Sequence, residues 1–117
     1  MSAPVGPYTP VVRAGDWVIT SGQLGLKDGA IVEGGITAQT LQAMQNVKDR
    51  LAEHGVGLDQ VVKTLCILAD LGDFAAFNAA YVEALGDHRP ARSTLGGGLV
   101  LGALVEVEAW AYAPLEG

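Results

Sequence analysis

The stretch ALVEVEAWAY, residues 103–112, decides the fold. Small or β-branched apolar residues occupy every second position, as in a strand whose successive side chains point to opposite faces of a sheet. The apolar row consists of Val105, Val107, Ala109 and Ala111. The other row mixes carboxylates with large apolar groups: Leu104, Glu106, Glu108, Trp110 and Tyr112. The pattern predicts a strand with one face on the core and a second face that is amphipathic.

Three other segments of the chain have strand character. Val61–Leu68 is apolar at almost every position, which favours a strand covered on both faces. Arg92–Leu95 is predicted to form a strand that Gly96-Gly97-Gly98 joins to the last one. Near the amino terminus, β-branched residues flank Ala14-Gly15-Asp16, and we therefore expect a hairpin over Val11–Ser21.

Two helices are predicted between these strands. Ile36–His54 has apolar residues at helical spacing, and Gly55 follows as the expected terminator. Asp73 is the expected N-cap of a second helix, which Gly86 closes. The apolar face of that helix is predicted to hold Phe74, Phe77, Tyr81 and Leu85.

The predicted order of elements is β-β-α-β-α-β-β, an α+β fold with a mixed sheet and two helices on one face. The other face of the sheet then needs a separate cover, because two helices protect one face only. An open face that is apolar and partly charged is typical of a subunit that associates with its own copies around a shared site. A monomer with some exposed apolar groups is the alternative.

Length and charge narrow the classes of function. A chain of 117 residues, 50% of them hydrophobic, suits one domain over residues 1–117. A net charge of -6 gives no long-range attraction toward nucleic acid or an anionic membrane. The longest apolar stretch, Leu99–Val105, is far shorter than the ~20 residues of a membrane span. A single cysteine and the lack of a basic-then-apolar leader predict a cytoplasmic protein.

Arg92 is the main candidate for binding chemistry. It follows Pro90-Ala91 at the entrance of a predicted strand, where the proline keeps the chain extended. A guanidinium stays protonated and meets a carboxylate with two parallel hydrogen bonds, which suits ligand binding better than proton transfer. A surface arginine paired with one of the excess acids is the competing interpretation.

Other polar residues are candidates for a pocket, each with a structural alternative. Glu106 and Glu108 point the same way from the last strand, and a carboxylate in a partly apolar interface can serve as acid or base. Solvated strand carboxylates are the commoner outcome. Tyr8 is equally compatible with a packing role. Ser21-Gly22 is compatible with an ordinary bulge, and Asn78 with hydrogen bonding to the backbone.

Several kinds of site are not expected. Cys66 lies in mid-strand between Leu65 and Ile67, and we expect no nearby cation that would make it a thiolate. We interpret it as a packing residue and not a nucleophile. The run Gly96–Gly102 fails the dinucleotide-binding spacing and leads into a strand instead of a helix. His54 and His88 have no second ligand at metal spacing, so no metal site is predicted.

Seven short motifs occur in an order that is specific as a set. They are Gly6-Pro7-Tyr8, Ser21-Gly22-Gln23, Ala38-Gln39-Thr40, Val61-Val62-Lys63-Thr64, Asp73-Phe74 with Asn78 and Tyr81, Pro90-Ala91-Arg92-Ser93, and Glu106-Val107-Glu108-Ala109. Together they resemble the RidA family, also called the YjgF type. The resemblance extends from Gly6 to about Tyr112, nearly the whole chain.

Proteins of that family are similar to chorismate mutase in fold and form trimers with a barrel-like centre and three ligand sites between subunits. They hydrolyse reactive enamines and imines, such as 2-aminoacrylate and 2-iminopropanoate, to 2-oxo acids and ammonia. The resemblance implies a homotrimeric deaminase that acts on small carboxylate-bearing metabolites without a cofactor. A non-catalytic binder or sensor of small carboxylates is the main alternative.

The same resemblance assigns roles to individual residues. Arg92 would hold the substrate carboxylate, and Glu106 would lie near the attacking water. The pocket residues would be Tyr8, Ser21, Gly22, Asn78 and Thr94.

One segment departs from the family's pattern. Gly96–Gly102 is one residue shorter than the usual loop and lacks its proline and lysine. A one-residue change inside a strand would turn side chains to the wrong face, so a bulge or the loop has to absorb it. The role of Glu106 depends on that outcome.

Overall fold

The computed structural model describes residues 6–115, in which the first two strands form the predicted hairpin. β1 (Val11–Ala14) and β2 (Trp17–Thr20) run antiparallel, with Val11 opposite Thr20. Gly15 turns the chain between them at φ 59°, a left-handed conformation that costs glycine little. The ends of the predicted domain, residues 1–5 and 116–117, lie outside the described residues.

Three short strands follow that the sequence analysis did not predict. β3 (Gln23–Leu24) joins the main sheet, whereas β4 (Leu26–Lys27) and β5 (Ala30–Ile31) form a separate hairpin. Asp28 and Gly29 turn that hairpin with φ of 53° and 82°. Asp-Gly is a strong signal for a two-residue hairpin, so the sequence did contain the information that predicts it.

The first helix, α1 (Gly35–Ala52), buries the expected apolar face against the sheet. Met44, Val47 and Leu51 are at most 1% exposed. The helix ends two residues before the predicted His54, and Gly55 follows at φ 71°. No helix among residues 6–115 is long and apolar enough to cross a membrane.

The second helix, α2 (Phe74–Leu85), has the predicted limits but not the predicted cap. Asp73 occupies the cap position without a side-chain hydrogen bond to the helix. Asp70 acts one turn earlier, where its carboxylate accepts a hydrogen bond from the backbone N–H of Gly72 and opens a short 3₁₀ turn. Asp70 and Asp73 are both compatible with capping. Because a 3₁₀ turn precedes α2, the first of them, Asp70, makes the capping hydrogen bond.

The main sheet is mixed, as predicted. Its remaining strands are β6 (Val61–Leu68), β7 (Ala91–Gly96) and β8 (Val105–Tyr112). The strand order is β1-β2-β8-β6-β7, in which β6 and β7 run parallel and the other pairs antiparallel. The predicted β-β-α-β-α-β-β order is confirmed, with β3, β4 and β5 inserted before α1.

Both helices pack on one face of this sheet, which we call the helix face. Buried side chains of α1, α2 and β8 belong to a single core cluster that includes the whole apolar row of β8. The opposite face, the open face, carries the amphipathic row, in which Glu106 and Glu108 are half-buried and Trp110 is 40% exposed. Leu65 and Ile67 of β6 are only half-buried on the open face, so the second cover that the sequence predicts for this strand is not supplied within the chain.

The glycine-rich segment between β7 and β8 absorbs the shortened spacing without disturbing the strands. The pairing of β6 with β8 is regular from Lys63 to Leu68, and its one irregularity lies between Val61 and Lys63. The segment contains a 3₁₀ turn at Val100–Gly102, with Leu101 at φ 59°. Glu106 therefore keeps its place on the open face.

Candidate active site

Arg92 lies on the helix face of the edge strand β7, against the side of α2. Its guanidinium carbon is 5.6, 5.2 and 4.9 Å from the ring centroids of Phe74, Phe77 and Tyr81. Arg92 is half-buried and has no hydrogen bond or ion pair to any residue within 6–115. The competing interpretation, a surface arginine paired with an acid, does not hold within this part of the chain.

The aromatic surroundings of Arg92 were not predicted. The spacing of Phe74, Phe77 and Tyr81 predicts that they share one helix face, but indicates only a packing role for that face. Aromatic rings attract a guanidinium by about 0.5–2 kcal/mol each without neutralising its charge. The rings hold the cation in place while its hydrogen-bonding edge stays available for an anion.

Two predicted pocket residues near Arg92 carry polar atoms that lack partners. Oδ1 of Asn78 on α2 and Oγ1 of Thr94 on β7 are buried without a hydrogen bond within the described chain. Thr94 is two residues beyond Arg92 and shares its face, and Asn78 is one turn after Phe74. Buried polar atoms in proteins normally have partners, so these atoms indicate a place for a ligand or water. Oγ1 of Thr40 also lacks a partner, but Thr40 lies on α1 and not on β7 or α2, the two elements that carry Arg92 and its aromatic rings.

Glu106 lies on the open face of β8, tightly against Gly22. A β-carbon at position 22 would come within 2.5–2.7 Å of the Glu106 carboxyl group and its neighbouring methylene, so a side chain at this position would displace it. Burial raises the pKa of the Glu106 carboxyl, and the charge of Glu108 raises it further. Glu108 accepts a 2.7 Å hydrogen bond from the Trp110 indole, whereas no such partner holds Glu106 among residues 6–115.

Ser21 precedes Gly22 in the chain and is hydrogen-bonded to the backbone just after Tyr8. The Ser21 hydroxyl donates a 2.6 Å hydrogen bond to the carbonyl of Thr9, and the Ser21 N–H donates to Pro10. These bonds fix the segment that carries Tyr8, whose side chain is 43% exposed. Ser21 therefore has a structural role that the sequence did not reveal, and Tyr8 is free to border a pocket.

The strand pairing separates Arg92 from Glu106. Arg92 is opposite Thr64 on β6, a residue 1% exposed on the helix face. Glu106 is opposite Ile67, on the open face. In one chain, the predicted site residues thus form two groups: an arginine half-site (Arg92, Thr94 and Asn78) and a glutamate half-site (Glu106, Gly22, Ser21 and Tyr8).

Cys66 faces the core, and the prediction that no cation lies near it is wrong. Cations do lie nearby, since Arg92 and Lys63 both lower the pKa of the thiol. The hydrogen bond with Thr64 lowers the pKa as well. Burial outweighs all three of these effects, so the pKa of the thiol rises to about 11. The thiol therefore stays protonated at neutral pH and is a poor nucleophile.

The remaining titratable residues do not form a metal site within the described part of the chain. No group of three His, Cys, Asp or Glu side chains converges among residues 6–115. His88 instead makes a 2.7 Å hydrogen bond with the carbonyl of Val61, which ties the loop before β7 to the start of β6.

The fold and these two groups of residues define a class of protein, a small α+β domain with an arginine and a carboxylate on opposite faces of its sheet. The chain belongs to the Endoribonuclease L-PSP family, which includes the YjgF and RidA proteins, and the family model matches residues 1–113. The family that the motifs resemble is thereby confirmed.

Named relatives differ in what their names imply. A RutC family protein of Pyrococcus horikoshii is 38% identical, over 93% of this chain and 89% of that protein. AldR of Lactococcus lactis, named as a candidate regulator, is 38% identical over 91% and 86% of the two chains. The crystal structure of RidA from an Antarctic Psychrobacter is 37% identical, with a TM-score of 0.89 and coverage of 94% and 91%.

Proposed function

We propose that this protein hydrolyses 2-imino and 2-enamino acids to 2-oxo acids and ammonia. Substrates of the 2-aminoacrylate and 2-iminopropanoate type are small and carry one carboxylate. The proposal includes a homotrimer in which each active site combines the arginine half-site of one subunit with the glutamate half-site of its neighbour.

The state of Arg92 is the observation that carries this proposal. Its guanidinium is held by three aromatic rings and lacks an anionic partner among residues 6–115. The strand that carries Arg92 and the helix that carries the rings each hold a buried polar atom without a partner. A fixed charge of this kind, with unused hydrogen-bond donors, suits a small carboxylate. Membership of the RidA-containing family supports the choice of an imino acid over other carboxylates.

The proposed reaction needs positioning and one proton acceptor. Arg92 holds the substrate carboxylate, which places the protonated imine carbon near Glu106 of the neighbouring subunit. Water attacks that carbon as Glu106 takes its proton, and the C=N bond becomes a C–N single bond in a tetrahedral carbinolamine. Glu106 returns the proton to the nitrogen, and the C–N bond breaks as ammonia leaves. Glu106 takes the proton of the carbinol hydroxyl as the carbonyl forms, and this proton leaves with ammonia as ammonium. One water is consumed, and nothing is oxidised or reduced.

The split between the half-sites supports the trimer. A guanidinium on the helix face and a carboxylate on the open face cannot reach one small substrate within the same chain. The half-buried Leu65 and Ile67 also leave the open face partly uncovered, as expected of a subunit interface.

The direct test is an assay with an imino acid made in place. An amino-acid oxidase generates 2-iminopropanoate from alanine, and semicarbazide traps whatever has not been hydrolysed. We expect the wild-type protein to reduce semicarbazone formation and Arg92→Ala to lose that effect while keeping its oligomeric state in light scattering. A near-normal rate in Arg92→Ala would reject the assignment.

A non-catalytic binder of small carboxylates is the second candidate. The name of the AldR relative favours it, and the arginine half-site alone is sufficient for binding. Such a protein would bind pyruvate through Arg92 but would give no acceleration over solvent in the imine assay.

A ribonuclease function, which the name of the Endoribonuclease L-PSP family suggests, is less well supported. The net charge of -6 opposes attraction to a polyanion. Salt-sensitive RNA binding by the purified protein would reverse this judgement.

A cytoplasmic location is also part of the proposal. The buried free thiol of Cys66 is compatible with a reducing compartment.

A further inference from the structure

Tyr81 differs from the other two rings around Arg92 in being anchored. Its centroid is the nearest of the three, at 4.9 Å from the guanidinium carbon, and it is buried like Phe77 and unlike Phe74. Its hydroxyl makes a buried 2.7 Å hydrogen bond with Oγ1 of Thr64. Phe74 and Phe77 have no polar group with which to fix their rings.

Thr64 is placed so that this anchor relates directly to Arg92. The two residues are paired across β6 and β7, so both side chains leave the sheet on the helix face. The Cys66 thiol donates a longer, 3.8 Å hydrogen bond to the same hydroxyl. Thr64 therefore connects α2 to β6 at the position directly opposite Arg92.

From this arrangement we infer that Thr64 and Tyr81 form a positioning pair that sets the orientation of the Arg92 guanidinium. A two-point grip on a carboxylate depends on the plane of the guanidinium, and that plane follows the ring against which it lies. A ring tied at its hydroxyl keeps one orientation, whereas an untied ring lets the arginine sample others that make one hydrogen bond or none. The inference rests on the proposed carboxylate-binding role of Arg92.

The test removes each hydroxyl while keeping the shape of the side chain. Tyr81→Phe retains the ring, and Thr64→Val retains the branched side chain. We expect each variant to bind pyruvate about five- to tenfold more weakly in an NMR titration, the effect of one lost positional hydrogen bond. The double variant should be no weaker than either single one, because the two hydroxyls act as a pair.

Two further variants separate positioning from general loosening of the core. Thr64→Ser keeps the hydroxyl but loses a methyl group, so we expect its affinity to stay within about twofold of wild type even though its stability falls. Thr40→Val makes the same change as Thr64→Val at a fully buried position on α1 where no hydrogen bond is lost, and should leave affinity unchanged. Equal weakening in Thr64→Ser and Thr64→Val, or normal affinity in Tyr81→Phe, would overturn the inference.

The imine assay distinguishes this inference from the proposed function. If the protein is a deaminase, KM should rise in Tyr81→Phe in parallel with the pyruvate dissociation constant, with kcat within about twofold of wild type. A wild-type protein that binds pyruvate without hydrolysing imines rejects the deaminase but leaves the pair to be judged by affinity. A wild-type protein that neither binds pyruvate nor hydrolyses imines overturns both.

Discussion

At the level of single residues, the contact between Gly22 and Glu106 ties the backbone of one strand end to the proposed base. A methyl group at position 22 would overlap the flexible end of the Glu106 side chain, so the carboxylate would move and the backbone would stay. We expect Gly22→Ala to lower kcat at least tenfold while changing the free energy of unfolding by less than about 1 kcal/mol. Imine-hydrolysis kinetics and urea denaturation measure the two quantities.

The control for this prediction is Gly22→Ala made in a protein that already carries Glu106→Gln. If Gly22→Ala acts by displacing the carboxylate, it should have little further effect on kcat once the carboxylate is gone. An undiminished loss in that background would show that Gly22 matters for another reason.

Glu106 itself should impose a pH dependence on both activity and stability. Its pKa is raised by burial and by Glu108, and only the ionised form accepts a proton from water. We expect kcat to fall as the pH falls through this raised pKa, and Glu106→Gln to have a low kcat without that acid limb. A pH profile of single-turnover rates makes the comparison.

The stability effect of Glu106 has the opposite sign. The folded protein holds the carboxyl proton more tightly than the unfolded chain does, so ionisation in the folded state is destabilising. We expect Glu106→Gln to be more stable than wild type above the raised pKa. The difference should shrink as the pH falls through that pKa, which thermal melts at several pH values would show.

At the level of elements, the segment between β7 and β8 contains a local strain that is independent of the site. Leu101 has φ 59°, a region that costs a branched or bulky residue about 1–2 kcal/mol and asparagine less. We expect Leu101→Asn to raise the free energy of unfolding by about 0.5–1 kcal/mol. Val100→Asn is the matched control, because Val100 is equally exposed at 59% and has no positive φ. Equal effects of both changes in urea denaturation would contradict the explanation.

Periodicity was sufficient to predict the long elements, and local chemistry was not always sufficient for the short ones. The apolar rows of α1 and β8 are set by the core, so their spacing in the sequence predicts their faces. β3 has two residues and owes its existence to pairing with β8, which no local pattern encodes. The contact of Arg92 with the aromatic rings of α2 could not be predicted from the sequence, because the two are distant in the chain. It depends on the parallel pairing of β6 and β7, which brings β7 beside α2.

At the level of the whole molecule, the open face is the part of the surface that the fold leaves unfinished. Leu65, Ile67 and Leu95 lie side by side there on β6 and β7, and Leu95 is 45% exposed. The proposed trimer would cover this face and bring an arginine half-site to each glutamate half-site. We expect the wild-type protein to behave as a trimer in light scattering and Ile67→Asp to dissociate it, with loss of imine hydrolysis although Arg92 is untouched.

Mixed trimers test whether two subunits share each site. Arg92→Ala and Glu106→Gln should each be inactive alone. When equal amounts are dissociated together and reassembled, about three quarters of the trimers contain both kinds of subunit, and in each of these one site of three joins an intact Arg92 to an intact Glu106. We therefore expect about one quarter of the wild-type activity to return, measured by the imine assay after reassembly. A site built within one chain would regain nothing, because no chain in the mixture carries both residues.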